Sequence, residues 1–181
     1  NKVKQNSDCS IILMSGSPDN LASGLKVCAG RKPLIYAATK ENLDKVAGLA
    51  KEHACSVVAK STDGLAELAE LTAKLTEAGI KDIVLDPGSR TLRRVFEDQV
   101  IIRNAALAKK FRPLGFPTIV FPGEMADDPM KEAVIAAAFV AKYGGILVLS
   151  DFQGENLFPL LVERMNIYTD PQRPLATTQG I

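Results

Sequence analysis

Histidine is almost absent: His53 is the only one in 181 residues. A His-rich metal site is excluded on that count, and a Ser-His-Asp arrangement survives only with His53 itself as the base. The three cysteines, Cys9, Cys28 and Cys55, stand too far apart for a CxxC pair. Their odd number argues against a disulfide framework and for a reducing compartment. They read as small buried hydrophobes, so the segment by itself is expected to hold no metal and no iron–sulfur cluster. An excess of one charge is missing too: 22 Lys+Arg against 21 Asp+Glu leave a net charge of +1. Nucleic-acid binding normally needs a basic face, so no nucleic-acid partner is expected. Long apolar runs are lacking, the longest being the nine residues Ala133–Ala141. A membrane span needs about 20, so no membrane partner is expected. No basic stretch followed by an apolar one opens the chain, and no secretory signal is read there. Neither GxGxxG nor GxxxxGK[ST] occurs, which argues against a nucleotide site.

What is present is a repeated pattern of short apolar run, turn and helical period. The runs are Ile11–Met14, Leu34–Ala38, Ser56–Lys60, Ile83–Asp86, Thr118–Phe121 and Ile146–Ser150. After the first, Ser17-Pro18 reads as N-cap and first helical position, and Gly30 stops the helix. Leu43, Val46, Ala47 and Ala50 then fall at i, i+3, i+4 and i+7, and Leu65, Leu68, Leu71 and Leu75 give the next helix. A long helix carries Leu92 to Leu107; two more are expected from Pro129 and over Phe158–Met165. Strands alternating with helices predict a parallel α/β sheet. The six βα units fall short of the eight of a (β/α)8 barrel. The expected fold is an incomplete TIM-like barrel over 1–166 lacking its first units, with a doubly wound open sheet as the alternative. Residues 167–181 carry Pro171 and Pro174 without period and read as a linker. The chain opens on Asn1 rather than Met and closes on Ile181 without a capping element, so both ends are expected to be cut.

Sites in parallel α/β folds gather at the carboxyl ends of strands. Asp86-Pro87-Gly88-Ser89-Arg90 places a carboxylate at a strand end and an arginine before a helix. Arg90 has the geometry to fork onto a carboxylate or phosphate; alternatively Asp86 caps the turn and pairs with Arg90. Lys60 ends an apolar strand, where a desolvated amine can form a Schiff base, or it is a solvated strand-end lysine. Ser15-Gly16-Ser17 precedes a helix and can offer N–H groups to an anion. Asp151, at the sixth strand end, binds a pterin ring or starts a helix, or it only caps its loop. His53 reads as a helix-end cation, and Lys51 two residues before it excludes a DxHxxG corrinoid-ligand motif. A helix apolar all round is normally covered on all sides. A partner surface is therefore expected over Ala133–Ala141, with Ala133, Ala137, Phe139 and Val140 as interface residues.

Three runs carry a family resemblance: Val84-Leu85-Asp86-Pro87-Gly88-Ser89-Arg90-Thr91, Arg112-Pro113-Leu114-Gly115-Phe116-Pro117-Thr118-Ile119-Val120-Phe121, and Asn166-Ile167-Tyr168-Thr169-Asp170-Pro171-Gln172. In this order the chain resembles the large (gamma) subunit of the corrinoid iron–sulfur protein of the acetyl-CoA synthase/decarbonylase system. The resemblance implies three parts: an N-terminal [4Fe–4S] domain, a TIM-like barrel, and a C-terminal cobamide-binding domain. This chain matches the middle barrel and the linker toward the corrinoid domain, so the cobamide and the [4Fe–4S] cluster are expected on absent domains and no cofactor in this segment. The implied function is that of a cytoplasmic, anaerobic methyl carrier. Cobalt accepts a methyl group from methyl-tetrahydrofolate, or from its pterin relative, and passes it to acetyl-CoA synthase. The implied partners are the small subunit, acetyl-CoA synthase and the methyltransferase, and the segment acts as scaffold and subunit-docking domain. The alternatives are a pterin-dependent methyltransferase or aldolase-like barrel using Asp86, Arg90, Lys60 or Asp151, and a doubly wound small-ligand-binding domain.

Overall fold

The computed structural model describes residues 2–167, which divide into two compact units. Among the described residues, the first unit comprises residues 2–89 and 102–117, and the second residues 90–101 and 118–167. The α/β class with parallel strands and alternating βα elements is what the periodicity predicts.

In the first unit a short helix α1 (Lys2–Asn6) precedes strand β1 (Ile12–Met14), helix α2 (Pro18–Val27), β2 (Leu34–Ala38), α3 (Leu43–His53), β3 (Val57–Lys60), α4 (Leu65–Glu77) and β4 (Ile83–Asp86). The strands form one parallel sheet in the order β1-β2-β3-β4. Strand β4 is buried at all four positions and β3 at its first three, the continuous apolar pattern of a parallel sheet with helices on its faces. Each helix turns one stripe inward. Leu21 and Leu25 of α2, Val46, Ala47 and Ala50 of α3, and Leu68, Leu71 and Leu75 of α4 meet Ile35, Val57, Ala59 and Leu85 in one core. Pro18 opens α2 from an extended Ser17, whose side chain makes no cap. Thr72, fully buried, sets its hydroxyl 2.6 Å from the Pro113 carbonyl, tying α4 to the 3-10 turn Arg112–Leu114.

Helix α5 (Leu92–Leu107) contributes its residues up to Ile101 to the second unit and the rest to the first. The second unit also holds β5 (Ile119–Val120), α6 (Pro129–Ala141), β6 (Ile146–Leu147) and α7 (Gly154–Ile167), with β5 and β6 parallel. Asp128 caps α6 by accepting from the Lys131 N–H at 2.9 Å, with Pro129 in the first turn. Val95, Val120, Ile135 and Phe139 make the core of this unit, with the Phe96 and Phe139 rings 6.3 Å apart. Helix α7 begins at Gly154, four residues before Phe158, because Gln153 accepts from the N–H groups of Asn156 and Leu157 and starts the turn early. Pro159 lies inside α7, past its first turn, where it has no N–H to give to the carbonyl of Glu155. The expected linker 167–181 lies outside the described residues, apart from Ile167, the last residue of α7.

Candidate functional site

The carboxyl ends of β1 to β4 bring together several of the residues singled out in the sequence. Asp86 is fully buried, and its Oδ2 accepts from the Tyr36 hydroxyl at 2.6 Å. Its Oδ1 accepts from the Gly88 N–H at 2.8 Å, so Asp86 does cap the Pro-Gly turn. Gly88 has φ +74°, and a Cβ there would lie 2.6 Å from the Ser61 carbonyl oxygen, so the turn accepts only glycine. Buried carboxylates need such donors, and here a backbone N–H and a phenol supply them.

Lys60 ends β3 half-buried, its Nζ 5.3 Å from the centre of the Tyr36 ring. Next to it, buried Ser61 donates its hydroxyl to Glu67 Oε2 at 2.5 Å, and Glu67 Oε1 lies 3.2 Å from Lys40 Nζ. The Ser61 hydroxyl, then the Lys40 ammonium, hold the Glu67 carboxyl below the usual carboxylate range. The Glu67 carboxylate in turn raises Lys40. Lys60, Tyr36 and the loops after β1 and β2 line a cavity of about 450 Å³.

In the second unit, Arg90 directs Nε to Glu124 at 2.6 Å and lies with its guanidinium 4.5 Å from the Phe121 ring centre. Asp151 is exposed; its oxygens accept from the Phe152 N–H at 2.7 Å and the Gln153 amide at 2.8 Å, the geometry of a loop cap. Of the expected interface residues, Ala133, Ala137 and Val140 are half-buried, whereas Phe139 is fully buried in the core of its own unit. Helix α6 is not covered on all sides: Glu132, Ile135, Ala136 and Phe139 point inward, and the apolar Met130 and Val134 are each 66% exposed. On α7, Phe158, Leu161 and Met165 are also exposed.

Glu132 is a residue that pattern reading passes over. A charged residue in a helix's first turn reads as solvated, but this one is buried and accepts from the Ser150 N–H at 2.6 Å and from the Ser150 hydroxyl. The close approach of Gly123, whose added Cβ would lie 3.0 Å from Glu132 Oε1, completes the enclosure.

The described residues do not fit an iron–sulfur cluster. Cys9 is exposed, Cys28 and Cys55 are buried, and burial pushes the Cys55 thiol up, away from the thiolate a metal needs. Among the described residues no group of three or more His, Cys, Asp or Glu gathers as a metal site. His53, the last residue of α3, therefore has no set of co-ligands. No helix among the described residues is long and apolar enough to cross a membrane.

Comparison with known proteins gives a match over residues 1–181 to the family described as CO dehydrogenase/acetyl-CoA synthase delta subunit. The chain is 42% identical over 171 residues to the corrinoid/iron-sulfur protein large subunit of Moorella thermoacetica, covering 94% of this chain and 38% of that protein. It is 36% identical over 187 residues to the acetyl-CoA decarbonylase/synthase complex subunit gamma 1 of Methanosarcina mazei, covering 97% of this chain and 40% of the relative. The gamma subunit of Methanothermobacter thermautotrophicus is 29% identical over 181 residues, covering 94% and 40%. The chain thus spans about two fifths of the length of these relatives.

Proposed function

Because the chain belongs to the CO dehydrogenase/acetyl-CoA synthase delta subunit family along its whole length, we propose that it is the barrel segment of a corrinoid iron–sulfur methyl carrier. In this reading residues 1–166 are an incomplete TIM-like barrel, and 167–181 link it to a corrinoid-binding domain. The cobamide and the [4Fe–4S] cluster belong to other domains of the full subunit. The full carrier takes a methyl group from a methyl-tetrahydrofolate or methyl-tetrahydropterin and delivers it to acetyl-CoA synthase. The segment itself positions subunits in a cytoplasmic assembly containing the small subunit, acetyl-CoA synthase and the methyltransferase.

The observation that carries the scaffold reading is the outer face of α6, where Met130 and Val134 stand exposed beside half-buried Ala133, Ala137 and Val140. An apolar face of this kind is stable in water only at a cost and marks a docking surface. Its small side chains allow close approach. Ala137→Arg is expected to prevent co-elution of the carrier with its small subunit in size-exclusion chromatography while leaving the circular dichroism spectrum intact. Unchanged co-elution would remove the docking role. The enzyme alternative, a pterin-dependent methyltransferase or aldolase-like barrel, rests on Lys60, since Asp86 is buried and engaged by Tyr36 and Gly88.

A further inference from the structure

The cavity at the carboxyl ends of β1 to β3 lies within the first unit and has the features of a small-molecule site. Its volume of about 450 Å³ lies within the range of ligand pockets. Its wall is built from Met14, Ser15, Tyr36, Thr39, Glu41 and Lys60, all in one unit and at the strand ends where parallel α/β folds bind ligands.

Two features give it a chemistry. The first is Lys60, whose Nζ has no carboxylate partner and no hydrogen bond among the described residues. The Tyr36 ring beneath it is itself held by the Asp86 carboxylate, so the ammonium has a fixed platform. The second is the rigidity of the rim. Asn42 accepts from the Thr39 N–H at 2.7 Å and donates to the Ala37 carbonyl at 3.2 Å, locking the loop after β2. Ser15 donates its N–H to the Tyr36 carbonyl at 3.1 Å and accepts from the Ser17 N–H at 3.2 Å, locking the loop after β1. A wall already ordered loses little freedom on binding.

The charge pattern selects among anions. One cation, Lys60, faces the cavity, and one carboxylate, Glu41, stands exposed at its rim. A phosphate dianion would carry a second negative charge toward Glu41 with no second cation to meet it. A monocarboxylate matches Lys60 one to one, and Met14 and Ala37 offer apolar wall to its body. We propose that this cavity binds a small organic monocarboxylate, its carboxylate on Lys60 Nζ and its body toward Met14 and Ala37.

The test is ligand-observed NMR with benzoate as probe, on the purified protein in its native subunit assembly, with inorganic phosphate as competitor. Saturable benzoate binding is expected, weakened about tenfold by Lys60→Met through loss of one charge-assisted hydrogen bond. Glu41→Gln is expected to tighten it, and phosphate at equal concentration to leave it bound. Met14→Trp, which fills the cavity from the end of β1, gives a second variant and is expected to exclude the probe. Circular dichroism checks that each variant is folded. Absent or unsaturable benzoate binding, affinity unchanged in both Lys60→Met and Met14→Trp, or displacement by equimolar phosphate would overturn the proposal.

Discussion

The phenol of Tyr36 and the carboxylate of Asp86 meet at 2.6 Å although they belong to β2 and β4, with β3 between them. Tyr36 pairs with Val58, while Asp86 pairs with Lys60. The contact therefore runs diagonally over β3 and passes beneath the Lys60 ammonium, which sits 5.3 Å from the Tyr36 ring. One bond ties β2 to β4 across β3, at the end of the sheet where the cavity opens. Tyr36→Phe removes this donor from a fully buried carboxylate while keeping the ring. The expected loss is about 1–3 kcal/mol of stability, read as a lower urea midpoint with unchanged slope. A midpoint equal to that of the parent would show that the bond adds nothing to the fold.

Glycine at 88 is required for two separate reasons, and a second glycine isolates them. Gly88 and Gly30 both have positive φ, +74° and +86°, but a Cβ at 30 meets open space, whereas one at 88 lies 2.6 Å from the Ser61 backbone oxygen. Gly30→Ala is expected to cost about 1 kcal/mol, the left-handed penalty alone. Gly88→Ala adds a backbone clash and disturbs the N–H that caps Asp86, so it is expected to cost several times as much. Thermal melting of the two variants side by side checks the order; equal losses would remove the steric argument.

Much of this fold is legible in the sequence where one periodicity acts alone. Strands β2 and β4 fall at Leu34–Ala38 and Ile83–Asp86, where the apolar runs stand, and α3 and α4 start at Leu43 and Leu65 as their periods indicate. Local signals fail where a distant partner decides. Helix α1 has no apolar period to announce it. Tyr36 reads as one more strand residue, because its partner Asp86 lies 50 positions away. Phe139 stands in a nine-residue apolar run that looks uniform. Its spacing from Ile135, however, places it on the inward stripe of α6, beside the Phe96 ring. Asp86 and Lys60 were legible as strand-end residues, but their joint connection through Tyr36 was not, since side chains crossing a sheet leave no mark on sequence spacing.

The Ser61–Glu67–Lys40 chain gives the first unit a pH dependence whose sign follows from its pKa directions. Glu67 titrates lower when folded than unfolded. Its contribution is complete above the unfolded carboxylate value and is lost as pH falls through the folded one. Lys40 titrates higher when folded, so its contribution is complete below the unfolded ammonium value and is lost as pH rises through the folded one. Glu67→Gln is therefore expected to flatten both limbs of the stability–pH curve while changing its neutral plateau less. Added salt is expected to weaken only the Lys40 part, because that side chain is 75% exposed and the Ser61 hydrogen bond is not. Urea midpoints at acid, neutral and alkaline pH, with and without salt, supply the check, and a Glu67→Gln curve parallel to the parent's would contradict the assignment.

Glu132 holds the second unit together in a way that a charge on an apolar helix does not suggest. It is the acceptor for both the N–H and the hydroxyl of Ser150, joining α6 to the segment that follows β6. Glu132→Ala leaves those two donors without this acceptor in a nearly closed space, at an expected cost of about 1–3 kcal/mol. Glu132→Gln keeps the oxygen that accepts from the N–H, and the Ser150 hydroxyl can turn to accept from the new amide, so most of the stability is expected to return. Because the bond is local, hydrogen exchange is the sharper readout. Amides of residues 146–157 should lose protection in Glu132→Ala and regain it in Glu132→Gln, while β3 and β4 in the first unit change little. Uniform loss across both units would instead mean that the two unfold as one cooperative body, and that Glu132 acts on global rather than local stability.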